Sequence, residues 1–180
     1  MSIGIAAVGD IDVRKKAHVF MEELGASTGE TVHLFVLEGG SARIIDGVGS
    51  PQAVRVATAI GALYPAHATA GGKALLAALP GDQLRAMYSR GLPRFTDFTQ
   101  TRWEAFEPEI EMIRRQGFAV NRGEAQDGVC GVAVPIFDRA RRLVASLALS
   151  VPRDRINDER IENLATELRH HAADIGEVLV

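Results

Sequence analysis

The sequence has little cysteine, no excess of positive charge and no long apolar run. Its single cysteine, Cys130, excludes an internal disulfide, and the chain carries neither a run of about 18 apolar residues nor a charged leader followed by an apolar stretch. These absences exclude a disulfide-stapled secreted domain and a membrane protein, and we expect a cytoplasmic protein. With 20 basic and 23 acidic residues the net charge is -3, so these residues have no electrostatic footprint for nucleic acid.

Motifs for catalysis and metal binding are also scarce. Counting back from Lys73 in GGKA, His67 stands where a phosphate-binding P-loop has its first glycine, and Ala74 replaces the magnesium-binding Ser or Thr. The five histidines show no His-x-x-x-His spacing, and Cys130 falls within a predicted strand without a neighbouring histidine, which indicates a buried, inert thiol. We therefore expect no catalytic residue, no metal and no cofactor.

Length and composition predict one folded domain over residues 1–180. Hydrophobic residues make 47% of the 180-residue chain and charged residues 24%, which is typical of a globular domain. No internal repeat or low-complexity segment divides the sequence.

Hydrophobic periodicity predicts a helix followed by a hairpin in the first part of the chain. Apolar residues recur at helical spacing after Asp10, a plausible N-cap, until Gly25 offers a stop. The segment 31–48 alternates like two strands and contains the turn Gly39-Gly40.

Three further helical segments are predicted in the middle of the chain. A short helix begins at Ala70 and ends before Pro80, a second piece covers 81–90, and a longer helix covers 101–116. Pro108 lies inside the third segment, where we expect a kink or a break.

The last third predicts three strands and a closing helix. The strands are 117–124, 129–138 and 142–151, paired antiparallel, and the helix runs from about 157 to 178 with one apolar face. The order of elements describes an α+β domain with helices packed on one face of an antiparallel sheet.

Alternation along these strands separates bulky from small side chains. The bulky set is Phe118, Val120, Val132, Val134, Ile136, Leu143, Leu147, Leu149 and Val151; the small or polar set is Ala119, Asn121, Gly131, Ala133, Pro135, Val144, Ser146, Ala148 and Ser150. If the bulky face packs on the terminal helices, the small face leaves room for a ligand. The alternative is that small residues only admit close packing of the middle helices, and alternation alone does not decide between them.

The helix that begins at Ala70 gives a second indication of a ligand site. Its N-terminal N–H groups, entered through an Ala-Gly-Gly turn, suit a carboxylate or another small polar ligand held against the sheet. We interpret Lys73 as a solvated residue of the first turn rather than a ligand contact, and Glu104, Glu107, Glu109 and Glu111 as a solvated helix face.

Four segments together resemble the effector-binding domain of IclR-type bacterial transcriptional regulators. They are TGETVHLFVLEGG, YPAHATAGGKALLAAL, GFAVNRGEAQDGVCGVAVPIFD and LVASLALSVPRDRI, and the resemblance covers nearly the whole chain. It implies a GAF-like (profilin-like) fold: a curved antiparallel sheet with the terminal helices on one face and a ligand pocket on the other. It also implies a small organic acid or aromatic acid as effector.

The family motif transfers a set of ligand contacts to this sequence. By that resemblance the binding residues are Ala70, Gly71, Asn121, Gly131, Ala148 and Ser150. Relatives often have an acidic residue at the position of Asn121, another side chain at that of Gly131 and a serine at that of Ala148. The pocket is thus less polar than in some relatives, and its effector is expected to be larger or more apolar.

The resemblance predicts a sensor rather than an enzyme. Family members carry an N-terminal winged helix-turn-helix that these residues lack, so we expect DNA contact only through that missing domain, and a homodimer or homotetramer. Effector binding would shift the subunit arrangement and so operator binding. The alternatives are a small-molecule-converting enzyme on a GAF-like scaffold and a purely structural dimerisation module.

Overall fold

The computed structural model describes residues 3–180, with side chains from residue 9 onward. The helices are α1 (Ile3–Thr28), α2 (Ala70–Ala77), α3 (Gly81–Met87), α4 (Trp103–Gln116) and α5 (Asp158–Val178). The strands are β1 (Thr31–Glu38), β2 (Ser41–Val48), β3 (Leu63–Pro65), β4 (Ala119–Arg122), β5 (Val129–Phe137) and β6 (Leu143–Pro152). They form one curved, antiparallel sheet in the order β3-β2-β1-β6-β5-β4, which confirms the predicted fold class.

The terminal helices cover one face of the sheet. Buried residues of α1 and α5 recur at helical spacing, and they pack on the bulky side chains of the strands; the helix residues are Val13, Ala17, Met21, Leu24, Ile161, Leu164, Ala165, Leu168, Ala172 and Ile175. The side chain of Asn157 caps α5 by accepting a hydrogen bond from the Arg160 N–H at 2.8 Å. The prediction that the bulky faces lie under the terminal helices is confirmed for every residue of that set except Leu143. Among the described residues, no helix is both long and apolar enough to cross a membrane.

A second core lies on the opposite face, beneath α2 and α4. All eight residues of α2 are buried, and the helix packs on the four strands β1, β4, β5 and β6 and on α4. Ala133 and Ala148 lie in this core, so part of the small face does admit close packing of a middle helix. The rest of that face, near Gly131 and Ser150, borders a cavity. Small residues therefore both admit close packing of α2 and leave space for a cavity, and Ala148 takes part in both.

The ends predicted for the first helix are wrong. The helix begins at Ile3 rather than after Asp10, and it continues through Gly25 to Thr28. Gly29, with a φ of 73°, follows the true end. Gly25 serves packing instead, because a Cβ there would lie 3.3 Å from Val48 Cγ1.

Helix α4 is continuous through Pro108, so the expected break does not occur. Pro108 is the sixth residue of the helix and removes a single backbone hydrogen bond, to the carbonyl of Glu104. The short edge strand β3 was not predicted, because three residues are too few to show an alternation.

A β-bulge displaces the start of β6 from the predicted faces. The register between β5 and β6 shifts at Ile136 and Phe137, which pair with Ala145 and Leu143. Leu143 therefore packs on the α2 side and Val144 on the α1 and α5 side, the reverse of the prediction.

Candidate ligand-binding cavity

A cavity of about 540 Å³, including its mouth, opens on the sheet face beside the start of α2. Its walls are His33, Phe35, Ile44, Val56, Ala57, Tyr64, Thr69, Ala70, Gly71, Asn121, Ala125, Gln126, Val129, Cys130, Gly131, Ala148, Leu149 and Ser150. All six residues predicted as ligand contacts border this one cavity; that they touch an effector stays a prediction.

The first turn of α2 borders the cavity, and its first N–H groups have no partner within the helix. Thr69 caps the helix: its Oγ1 accepts from the Gly72 N–H at 3.1 Å, and its carbonyl accepts from the Lys73 N–H at 2.9 Å. The N–H groups of Ala70 and Gly71 precede the first intrahelical hydrogen bonds and belong to residues that line the cavity. A carboxylate placed here would meet two donors and the positive end of the helix dipole.

Gly71 is required by close packing rather than by a left-handed backbone. Gly71 is not one of the glycines that have a positive φ in the described part of the chain. A Cβ at this position would lie 2.7 Å from Cε2 and 2.9 Å from Cγ of Phe35, well inside van der Waals contact. At Gly131 a Cβ would lie 3.2 Å from that of Ala70, so α2 also rests directly on β5. The helix start is thus fixed against the sheet.

His33 is a polar residue of the cavity that the sequence analysis missed. It lies on β1, only 3% exposed, with Nδ1 3.0 Å from Ser150 Oγ and its ring edge-on to Phe35. Its Nε2 is buried without a hydrogen bond of acceptable geometry in the described chain. Burial lowers the pKa of His33 to about 4, against a weaker contribution from the backbone of Ala57, so the ring is neutral at pH 7.

The alternation along TVHLFVLE already held the signal for His33. His33 and Phe35 share one strand face, whereas Val32 and Leu34 belong to the core under the terminal helices. In the sheet His33 pairs with Ala148, one of the predicted contacts. Extending the face analysis from the last three strands to β1 would have placed it at the cavity.

The cavity wall carries no formal charge. None of the side chains that border it, all within the described part of the chain, is Asp, Glu, Lys or Arg, and the histidine is neutral. Its polar groups are hydroxyls, amides, one imidazole and the α2 backbone. A charged ligand group would therefore be met by the helix start and not by an ion pair.

Lys73 is fully buried, so its interpretation as a solvated residue is wrong. Its Nζ lies 2.5 Å from Glu109 Oε1 and 2.9 and 3.1 Å from the two carboxylate oxygens of Glu124. Glu109 is therefore not part of a merely solvated helix face. Burial raises the pKa of Glu124 above its ordinary value, although the Lys73 ammonium opposes that shift. Every other residue of the segment AGGKALLAAL is apolar or glycine, which already indicated that the helix is buried and that its lysine needs a buried partner.

The Lys73 ion pair holds the loop after β4 against α2. The Glu124 N–H donates to Asn121 Oδ1 at 2.8 Å, and the Glu124 carbonyl accepts from Thr99 Oγ1 at 2.6 Å. The oxygen of the Asn121 amide is therefore engaged, and its NH2 group is what this side chain offers to a ligand. One network thus positions both Asn121 and the start of α2.

The remaining reactive residues do not assemble into a catalytic or metal site. Cys130 is a free, buried thiol whose pKa is raised by burial, in agreement with the expected inert thiol. Within residues 3–180 no three His, Cys, Asp or Glu side chains are grouped so as to hold a metal ion.

Known proteins similar to this chain are bacterial regulators. Residues 5–177 match the family model described as bacterial transcriptional regulator IclR C-terminal. The chain is 33% identical over 177 residues to the HTH-type transcriptional regulator XynR of Escherichia coli, covering 98% of the chain and 70% of that relative. It is 33% identical over 175 residues to the HTH-type transcriptional regulator KdgR of Escherichia coli, covering 97% of the chain and 66% of that relative.

Solved structures show the same architecture. The C-terminal domain of Escherichia coli KdgR is similar with a TM-score of 0.82 and 32% identity, covering 92% of this chain and 96% of that one. The Thermotoga maritima IclR structure gives a TM-score of 0.86 and 30% identity, covering 96% of this chain and 72% of that one.

Proposed function

Since the chain belongs to the IclR family of bacterial transcriptional regulators and matches its C-terminal domain, we propose that the cavity beside α2 binds a small organic or aromatic acid as its effector. The domain is a regulatory sensing domain and not an enzyme, as its relatives are named regulators and repressors. The observation that carries the proposal is that Ala70 and Gly71, the first two residues of α2, border a cavity without charged side chains.

The contacts proposed for the effector are those of the family motif. Its carboxylate would accept from the N–H groups of Ala70 and Gly71, and the Asn121 amide and Ser150 hydroxyl would supply further hydrogen bonds. Gly131 and Ala148 would provide the close floor of the site, since larger side chains there would enter the cavity.

The regulatory role of the whole protein is proposed from its relatives. The chain spans about two thirds of the two regulators above, 70% and 66% of their lengths. Members of the family bind DNA and effectors and oligomerise. We therefore place residues 1–180 as the effector-binding domain of a cytoplasmic homodimer or homotetramer, with DNA contact made by a winged helix-turn-helix domain upstream. Effector binding would favour one subunit arrangement and so change operator affinity.

A thermal-shift screen against small acids tests the effector site. A ligand at about 100 times its Kd contributes roughly 2.7 kcal/mol, which corresponds to about 5–10 °C in a domain of this size. The panel holds keto acids, dicarboxylates and hydroxybenzoates. Ser150→Leu, which fills the cavity, should abolish the shift, whereas the matched change Ser89→Leu at an exposed site should keep it. Silence across the panel would favour the structural dimerisation module.

A further inference from the structure

The imidazole of His33 has a buried nitrogen, Nε2, without a hydrogen bond of acceptable geometry, although the backbone of Ala57 lies close enough to affect the ring. His33 is only 3% exposed. Ser150 Oγ, 3.0 Å from Nδ1, fixes the ring from its other side. Buried polar atoms without partners are costly and rare, and a ligand, an ion or an ordered water commonly supplies the partner.

Phe35 separates this atom from the start of α2. The ring of Phe35 packs against Gly71 on one side and stands edge-on to the imidazole, with ring centroids 5.8 Å apart. The start of α2 and the imidazole of His33 therefore lie on different sides of the Phe35 ring, and all three border the cavity.

We propose that His33, oriented by Ser150, hydrogen-bonds an uncharged oxygen at the far end of the effector, so that the site selects a monocarboxylate with a distant hydroxyl or carbonyl group. This inference rests on the proposed function, because it takes the carboxylate to lie at α2. Nothing in the family motif assigns a role to His33.

The chemistry of a neutral imidazole sets this preference. When Ser150 donates to Nδ1, Nε2 carries the proton and donates to a carbonyl oxygen; when Nδ1 donates to Ser150, Nε2 accepts from a hydroxyl. A second carboxylate at this end would lose its hydration without gaining a cation, because no charged side chain borders the cavity. Dicarboxylates are therefore disfavoured.

Two series of matched acids test the preference on the intact domain. The first is benzoate, 4-hydroxybenzoate and terephthalate; the second is pentanoate, 5-hydroxypentanoate and glutarate. In at least one series the hydroxy acid should bind about tenfold more tightly than its parent acid by calorimetry, and the dicarboxylate should bind most weakly. In the double variant His33→Phe with Ser150→Ala, both acids lose the contact with Ser150, and the tenfold ratio between them should fall to about one. His33→Gln, whose amide also donates and accepts, should restore part of the ratio.

The stability of the ligand-free double variant provides an independent test. If the imidazole is kept for a ligand, replacing both polar partners by apolar groups leaves the urea midpoint equal or higher. A clear fall in the midpoint would make His33 a structural residue and overturn the inference. Acids that bind without preferring the hydroxyl would refute only the role of His33. If neither series binds, the acid site itself fails, and the inference fails with it.

Discussion

Replacing Lys73 by methionine tests whether the buried ion pair holds the cavity together. Methionine has a similar length, but it leaves the Glu124 side chain, 11% exposed, without the cation that lies 2.9 Å away. Breaking one partner of a buried pair costs about 3–5 kcal/mol, because the remaining charge is uncompensated. For a domain of this size that is a fall in Tm of roughly 6–20 °C. Urea unfolding followed by circular dichroism measures the free energy directly.

The double variant Lys73→Met with Glu124→Gln distinguishes lost charge pairing from lost packing. The charges of Lys73 and Glu124 are then absent, and only the partly exposed Glu109 carboxylate is left without its cation. Part of the stability should therefore return, and the two changes should be strongly non-additive. The matched surface control is Arg85→Met, which breaks the pair of Arg85 with Glu107 at 2.8 Å where both side chains are well exposed. That control should cost between about 0 and 1 kcal/mol.

The pH dependence of the Lys73→Met defect gives a further check. Burial raises the pKa of Glu124, and the Lys73 ammonium opposes that rise, so removing the ammonium should raise the pKa further. A carboxyl with a raised pKa in the folded state costs stability above that pKa, and the cost fades as the pH falls. The defect relative to the wild type should thus be larger at pH 8 than at pH 5. Equal defects at both pH values, a defect below about 1 kcal/mol, or no recovery in the double variant would refute the reasoning.

Three other changes have defined outcomes. Gly71→Ala should destabilise the domain and abolish acid binding, because its Cβ would enter the Phe35 ring; an unchanged Tm would show that the ring moves aside at no cost. Ser150→Leu should weaken effector binding while the fold persists, and unchanged affinity in calorimetry would remove Ser150 from the site. The pKa of about 4 for His33 lies below the unfolded value of 6.5, so the unfolded chain takes up the proton first and stability is lost as the pH falls. Between pH 7 and 4.5 this should amount to about 2 kcal/mol, and it should vanish in His33→Phe; an identical acid slope in that variant would contradict the burial of a neutral ring.

Local periodicity was sufficient for most of the fold. The hairpin β1–β2, the three later strands and α5 each contain enough residues to show period 2 or 3.6, and the turn Gly39-Gly40 lies where predicted. The bulge near Leu143 was missed because its cause lies in the pairing with β5, which periodicity within one strand does not contain.

The sequence predicted only those parts of the cavity whose signal lies within one strand or one helix. The six predicted contacts came from the family resemblance, and strand alternation independently placed four of them, Asn121, Gly131, Ala148 and Ser150, on the small face. Lys73 and His33 were misjudged or missed because their partners, Glu124 and Ser150, are distant in sequence. Whether a polar side chain is solvated, paired or left with an unused nitrogen is decided by that tertiary packing.

The pairing of β1 with β6 at the centre of the sheet governs the order in which the domain can assemble. Thr31 pairs with Ser150, so the central strands come from opposite ends of the sequence. During synthesis, β1, β2 and β3 leave the ribosome long before β6, and the free edge of β1 stays open to other chains meanwhile. A product truncated before Leu143 would keep that open edge and is expected to aggregate rather than fold, which makes late synthesis the vulnerable period for this protein.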